Sequence, residues 1–148
     1  MPDCFVESFN IRKNANTWFC LFFFTKNLKG AEKMLDAKWK LDESNGQGWS
    51  YEHSFAGGLN FGAQINPLEI AILEALNDRG RTNAELYELT IRQGYRPTHA
   101  YQVLEALRKD ERIRVEPPSV PKGSYYLEYK LTHGADESKH KTVTVHLQ

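Results

Sequence analysis

Near the N-terminus, apolar and polar positions alternate over CFVESFNI. Phe5, Glu7, Phe9 and Ile11 fall on one side, Val6, Ser8 and Asn10 on the other. A period of two with this aromatic content predicts a strand. Asn14 and Asn16 in RKNAN supply turn chemistry. Seven apolar residues then run without a break from Trp18 to Phe24, reading as a second strand antiparallel to the first. A continuous apolar strand of this kind normally lies inside a sheet covered on both faces. TKNLKG leads into a predicted helix from about Ala31 to Lys40, with Ala31, Met34, Leu35 and Trp39 at helical spacing. DESNGQG breaks the pattern, and WSYEHSF predicts a further short strand. Only CFVESFNI and WSYEHSF are available to flank the apolar strand, so the helix covers one sheet face. The other face calls for cover by the helical half or by a second molecule.

From Pro67 the period changes to that of helices. In INPLEIAILEALNDRG, Pro67 starts a helix, Leu68, Ile72, Leu73 and Leu76 form its stripe, and Gly80 lies past its end. In RTNAELYELTIRQGY either Thr82 or Asn83 caps a second helix, and Glu85 stands at the capping-box spacing from Thr82. Leu86, Leu89 and Ile91 face inward, and Gly94 closes that helix. RPTHAYQVLEALRKDER predicts a third, with Ala100, Val103, Leu104 and Leu107 buried. IRVEP and YYLEYKL, joined by the Pro- and Gly-rich PSVPKGS, read as a β-ribbon, and KTVTVHL as one more strand. The glycine-rich AGGLNFGAQIN separates the two grammars. The expected organisation is an α+β chain. A β-hairpin–helix–strand unit at 1–56 is joined by a connector at 57–66 to a winged helix-turn-helix domain at 67–148.

Length, with 41% apolar residues, suffices for a core, and lysine plus arginine (19) balances aspartate plus glutamate (19). No global field therefore draws the chain to nucleic acid or acidic membranes. The N-terminus lacks the pattern of a leader, and no apolar run reaches the roughly 18 residues of a membrane span. Cys4 and Cys20 match no zinc spacing and read as reduced thiols. These features lead to the expectation of a cytoplasmic protein.

Three helices followed by a ribbon, with a short glycine-bearing turn between the last two helices, form the order of a winged helix. Such a domain sets the start of its third helix in the major groove. Arg96, Thr98, His99, Tyr101 and Gln102 are the residues expected on its exposed side. Gln102 suits adenine, and Arg96 or Thr98 suits phosphate. Lys122 and Ser124 at the wing tip are placed for a neighbouring backbone. Against this, basic and acidic side chains balance from Pro67 onward, twelve of each, whereas duplex binding usually shows a basic excess. A protein-docking role therefore stands beside nucleic-acid contact.

Catalytic chemistry is not legible. No nucleophile has a recognisable elbow or an activating neighbour. His133 and His140 lie in a polar loop without the rigid frame a metal requires. TKNLKG lacks the glycines and the Lys-Ser/Thr pair of a P-loop, so a phosphate cradle there is the weaker reading. The expectation is a protein that is not an enzyme and uses no metal or cofactor.

WFCLFFFTKNLKGAEKMLDAKWKLD resembles a segment of the three-Cys-motif partner proteins. There an aromatic apolar strand, a Lys-Gly turn, a Met-bearing helix and a Trp-Lys pair follow in this order. The resemblance covers roughly residues 5–55, and the winged helix more loosely. It implies the late part of a methyltransferase-like α/β domain followed by a winged-helix-like region, in a phage-related or mobile-element setting. The cofactor-binding strands of such a domain precede the segment, so none of their residues can be carried over. On that resemblance the chain is a piece of a longer protein or a small descendant without the catalytic half. Independently of the resemblance, the incompletely covered sheet leads to the expectation of homodimerisation or partner docking through the N-terminal sheet.

Overall fold

The computed structural model describes residues 4–43, 46, 48–50, 66–118, 125, 127 and 142–148, with the side chains of 49 and 50 left aside. The chain divides into two compact units, 1–64 and 65–148. Together they form a mixed α+β architecture with an N-terminal β-hairpin, four helices and a small antiparallel three-stranded sheet among the described residues.

In the first unit, β1 (Phe5–Asn14) and β2 (Thr17–Thr25) pair antiparallel, from Phe5 opposite Thr25 to Asn14 opposite Thr17. The turn is held by the Asn16 amide, which donates to Asn14 Oδ1 at 3.0 Å. Helix α1 (Leu28–Leu41) starts earlier than Ala31 because Asn27 caps it. Asn27 Oδ1 accepts from the amides of Lys29 (2.8 Å) and Gly30 (3.3 Å), so these first-turn donors are already engaged. Phe5 and Phe9 of β1 and Leu28, Ala31 and Leu35 of α1 are buried. Two charges share these stripes. Glu7 lies on the phenylalanine side of β1, and Lys38 continues the Ala31–Leu35 stripe; its Nζ meets Glu7 Oε2 at 2.5 Å.

Strand β3 (Gly48–Ser50) then pairs parallel with β1, Asn10 opposite Gly48 and Arg12 opposite Ser50. The sheet order is β2-β1-β3. This corrects the expectation for the apolar strand. Among the described residues β2 is an edge strand, and the alternating β1 is central. Helix α1 meets β1 through the Lys38–Glu7 pair, and the chain after the helix returns as β3 on the free side of β1 rather than beside β2. The continuation of WSYEHSF beyond Ser50 lies outside the described residues.

In the second unit, α2 (Pro67–Asp78) begins where Asn66 Oδ1 accepts from the Leu68 amide at 3.0 Å. β4 (Arg81–Thr82) leads directly into α3 (Asn83–Arg92). Thr82, not Asn83, is the cap. The Glu85 amide donates to Thr82 Oγ1 (3.3 Å), and the Thr82 amide donates to Glu85 Oε2 (2.9 Å). Asn83 has another task. Fully buried, it accepts from the Val143 amide through Oδ1 (3.3 Å) and donates its own amide to the Val143 carbonyl (2.8 Å).

α4 (Pro97–Lys109) is followed by β5 (Ile113–Glu116) and, late in the chain, β6 (Thr144–Leu147). β6 lies between β4 and β5, antiparallel to both. IRVEP pairs with KTVTVHL, the further strand expected there, Ile113 opposite Leu147 and Glu116 opposite Thr144, while the pairing expected of IRVEP with YYLEYKL lies largely outside the described residues. Val143 and Val145, both fully buried, hold β6 against the core. Of YYLEYKL only Tyr125 and Leu127 are described, and both pack on that core. Its centre is Leu68, Ile72, Leu76, Leu86, Leu104 and Leu107.

Both α3 and α4 end in the same hydrogen-bond pattern. After α3 the amides of Gly94 and Tyr95 donate to the carbonyls of Ile91 and Thr90; after α4 those of Glu111 and Arg112 donate to Arg108 and Leu107. This is the Schellman arrangement, and it requires a left-handed residue. Gly94 takes it at φ 79°, whereas Glu111 takes it at φ 56°. A side chain at that position costs on the order of 1 kcal/mol.

Glu85 joins the cap to Arg79, whose guanidinium also bonds its carboxylate. Burial opposes ionisation of Glu85, but bonds to Arg79, the Thr82 amide and the Thr82 hydroxyl outweigh it and lower the carboxyl to about 2. A depressed carboxyl stabilises the fold above its ordinary value of 4.5 and loses that contribution as pH falls through about 2. Glu85→Gln is expected to cost about 1 kcal/mol at neutral pH, after discount for solvent screening. Urea titrations of both proteins by far-UV circular dichroism should converge as the pH is lowered through this window. A difference independent of pH contradicts this assignment.

Candidate nucleic-acid interface

The turn from Gln93 to Arg96 sets the geometry of the α3–α4 corner. At Gly94 an added Cβ would meet nothing within 4 Å, so the glycine is there for its backbone angle alone. The chain then enters α4 through Arg96 and Pro97, an extended residue before a proline at the first helical position. The Arg96 carbonyl accepts from the His99 amide (2.9 Å), and the Arg96 amide donates to His99 Nδ1 (3.3 Å). His99 thus closes the helix start. Its ring also meets Tyr95 edge-on, centroids 5.9 Å apart. Burial, then the positive charge of Arg96, lower the His99 pKa, which agrees with Nδ1 serving as an unprotonated acceptor.

The five sequence-predicted residues of this corner come together at the start of α4 but do not share one exposure. Thr98 and Gln102 are exposed; Arg96, His99 and Tyr101 are half-buried. Placing His99 and Tyr101 on the open side is corrected. His99 is engaged in capping, and Tyr101 packs on the core with its ring 6.0 Å from that of Tyr125. Arg96 directs Nη2 to Thr98 Oγ1 (3.3 Å), while its Nε is buried without a hydrogen-bond partner. Lys122 and Ser124 lie outside the described residues.

Further along α4, Ala106 and Lys109 continue the exposed stripe of Thr98 and Gln102 at helical spacing. Glu105, Ala106, Arg108 and Lys109 line a shallow groove there. Tyr125 is buried against the same helix, its hydroxyl donating to the Leu104 carbonyl at 3.4 Å. Burial first, and then the carboxylate of Glu105, push the Tyr125 pKa up to about 12, with Arg108 opposing. The sequence reading stopped one helical turn into α4 and missed Arg108 and Lys109, although a basic last turn was visible in LRKD. Other cations nearby are neutralised, Arg92 by Glu88 and Arg112 by Glu69, each at 2.7 Å. The surface is therefore mixed in sign rather than a basic stripe.

Among the described residues no group of three or more His, Cys, Asp or Glu side chains is placed to hold a metal ion, and Cys4 and Cys20 are free. No described helix is long and apolar enough to cross a membrane. No family model matches the chain, and neither a curated protein nor a solved structure matches it.

Proposed function

We propose that the second unit is a winged helix-turn-helix module and that the chain is a non-enzymatic recognition protein contacting nucleic acid through α4 and the wing. One observation carries this reading: the order α2-β4-α3-α4-β5-β6 with β6 between β4 and β5. That arrangement leaves α4 as the helix after the glycine turn, the position that enters the major groove in such modules. Thr98 and Gln102 are the exposed groups at its leading end, a hydroxyl for phosphate and an amide for adenine. Arg96, fixed at the N-cap, and Lys109, along the same helix, supply positive charge.

The roles separate by substitution. Lys122→Glu and Arg96→Glu are expected to weaken duplex binding about equally for all sequences, by about tenfold or more. Gln102→Ala is expected instead to relax the preference at one base pair by about 1–3 kcal/mol. Fluorescence anisotropy with short duplexes measures both. Affinity unchanged in all three variants removes α4 and the wing from the interface.

A second reading, protein docking, is favoured by the apolar surface of the first unit. Val6, Trp18, Phe19, Leu21, Phe22 and Phe24 are all more than half exposed. A non-catalytic relative of methyltransferase-like proteins, as the resemblance of the β2–α1 segment implies, fits the same observation.

A further inference from the structure

The exposed rings of β2 occupy both faces of the sheet. Trp18, Phe22 and Phe24 project on the side opposite α1, with Val6 of β1 beside Phe24 in the pairing. Phe19 and Leu21 project on the helix side, yet each stays 51% exposed. A helix docked on one face would leave the other wet. A strand added along the β2 edge approaches both faces at once, and among the described residues no strand occupies that edge. The edge also presents a row of backbone donors and acceptors directed away from β1.

We infer that the occupant is a second copy of this chain, paired antiparallel β2 to β2 about a two-fold axis at Leu21. Three properties of the strand select this partner. From Thr17 to Thr25 it carries no charge, so self-pairing brings no like charges together and a charged partner strand gains nothing. Pairing about Leu21 keeps all nine residues in register. Trp18 then faces the partner's Phe24, Phe19 the partner's Phe23, Cys20 the partner's Phe22, and Leu21 itself. Large aromatics thus meet aromatics or the small Cys20, and no turn residue intrudes.

Apolar surface is available along this edge. An aromatic side chain buries about 150–250 Å². Trp18, Phe19, Phe22 and Phe24 at 51–65% exposure, with Leu21 and Val6, therefore offer roughly 600 Å² of apolar surface per copy. Pairing along the edge buries the strand backbone and the facing flanks of these side chains, a part of the roughly 800 Å² per partner of a standard interface. The product is a six-stranded sheet in which the two β2 strands become its centre. The continuous apolar run then lies at the centre of the sheet, flanked by a strand on each side.

The test is independent of nucleic-acid binding. Size-exclusion chromatography with light scattering on the full chain, at about 100 µM, is expected to give twice the chain mass. Leu21→Lys places two ammonium groups at the axis and is expected to give the monomer with an unchanged circular dichroism spectrum. In a Cys4→Ser/Cys20→Ser background, Leu21→Cys joined by a short bis-maleimide is expected to give a covalent dimer. Ile70→Cys, exposed on α2, serves as the control and should remain single. A monomeric wild type, a dimeric Leu21→Lys, or Leu21→Cys that links no better than Ile70→Cys overturns the inference.

Discussion

Lys38→Ala is expected to lower the stability of the first unit by about 3–5 kcal/mol. Lys38 is 4% exposed and its ammonium lies 2.5 Å from Glu7, on the covered side of the sheet. Removing one member of a buried pair leaves the other charged in a poorly solvated place, which is the costly step. A small domain holds only a few kcal/mol in total, so the single replacement is expected to unfold this unit. Replacing both members, Glu7→Leu with Lys38→Met, is expected to recover most of the loss because neither charge is then stranded. The measurement is direct: Trp18, Trp39 and Trp49 all belong to the first unit, so tryptophan fluorescence in urea reports on it. A Lys38→Ala midpoint equal to that of the wild type contradicts this account.

Leu104→Ala is expected to cost the second unit about 2–5 kcal/mol. Its side chain is fully buried in the cluster formed by three helices and the small sheet. Truncation removes apolar contacts and leaves a cavity in the buried cluster that also holds Leu68, Leu86, Leu107 and Val145. Leu104→Met, which nearly conserves volume, is expected to cost under about 1.5 kcal/mol. Far-UV circular dichroism in urea distinguishes the two. Because α4 carries its core stripe and its Thr98–Gln102 face on one helix, duplex affinity is expected to fall in the order of these costs. Equal costs for the alanine and methionine variants would place Leu104 outside the core.

The helices of the second unit were legible because period and punctuation agree there. Pro67, Thr82 with Glu85, Gly94 and Pro97 mark ends, and the buried positions of α4 are the four that spacing selects. Strand pairing was less legible, since it joins residues far apart and leaves little trace in local composition. Nothing in IRVEP states that one of its neighbours is TVHL, far later in the chain. The position of β2 was misread for a related reason. Continuous apolarity says that both faces want cover, but not whether this chain supplies it. One signal was available and unused: Glu7 within the Phe5–Phe9 stripe and Lys38 within the Ala31–Leu35 stripe are opposite charges at apolar positions. Each needs a partner, and each is the other's. At the candidate interface, helical phase located Gln102 and Thr98, but it could not tell that His99 would be taken up by the Arg96 amide.

The two faces of the proposal rest on different residues. Recognition rests on α4 and on the order of the small sheet, while assembly rests on the β2 edge. The central claim is that the second unit binds nucleic acid, and the most direct measurement is the affinity of the full chain for a short mixed-sequence duplex as salt is varied. A few phosphate contacts from Arg96, Lys109 and Lys122 predict a plot of log affinity against log salt with a slope of about −2 to −3. No detectable binding at low salt, or an affinity that does not change with salt, contradicts the claim.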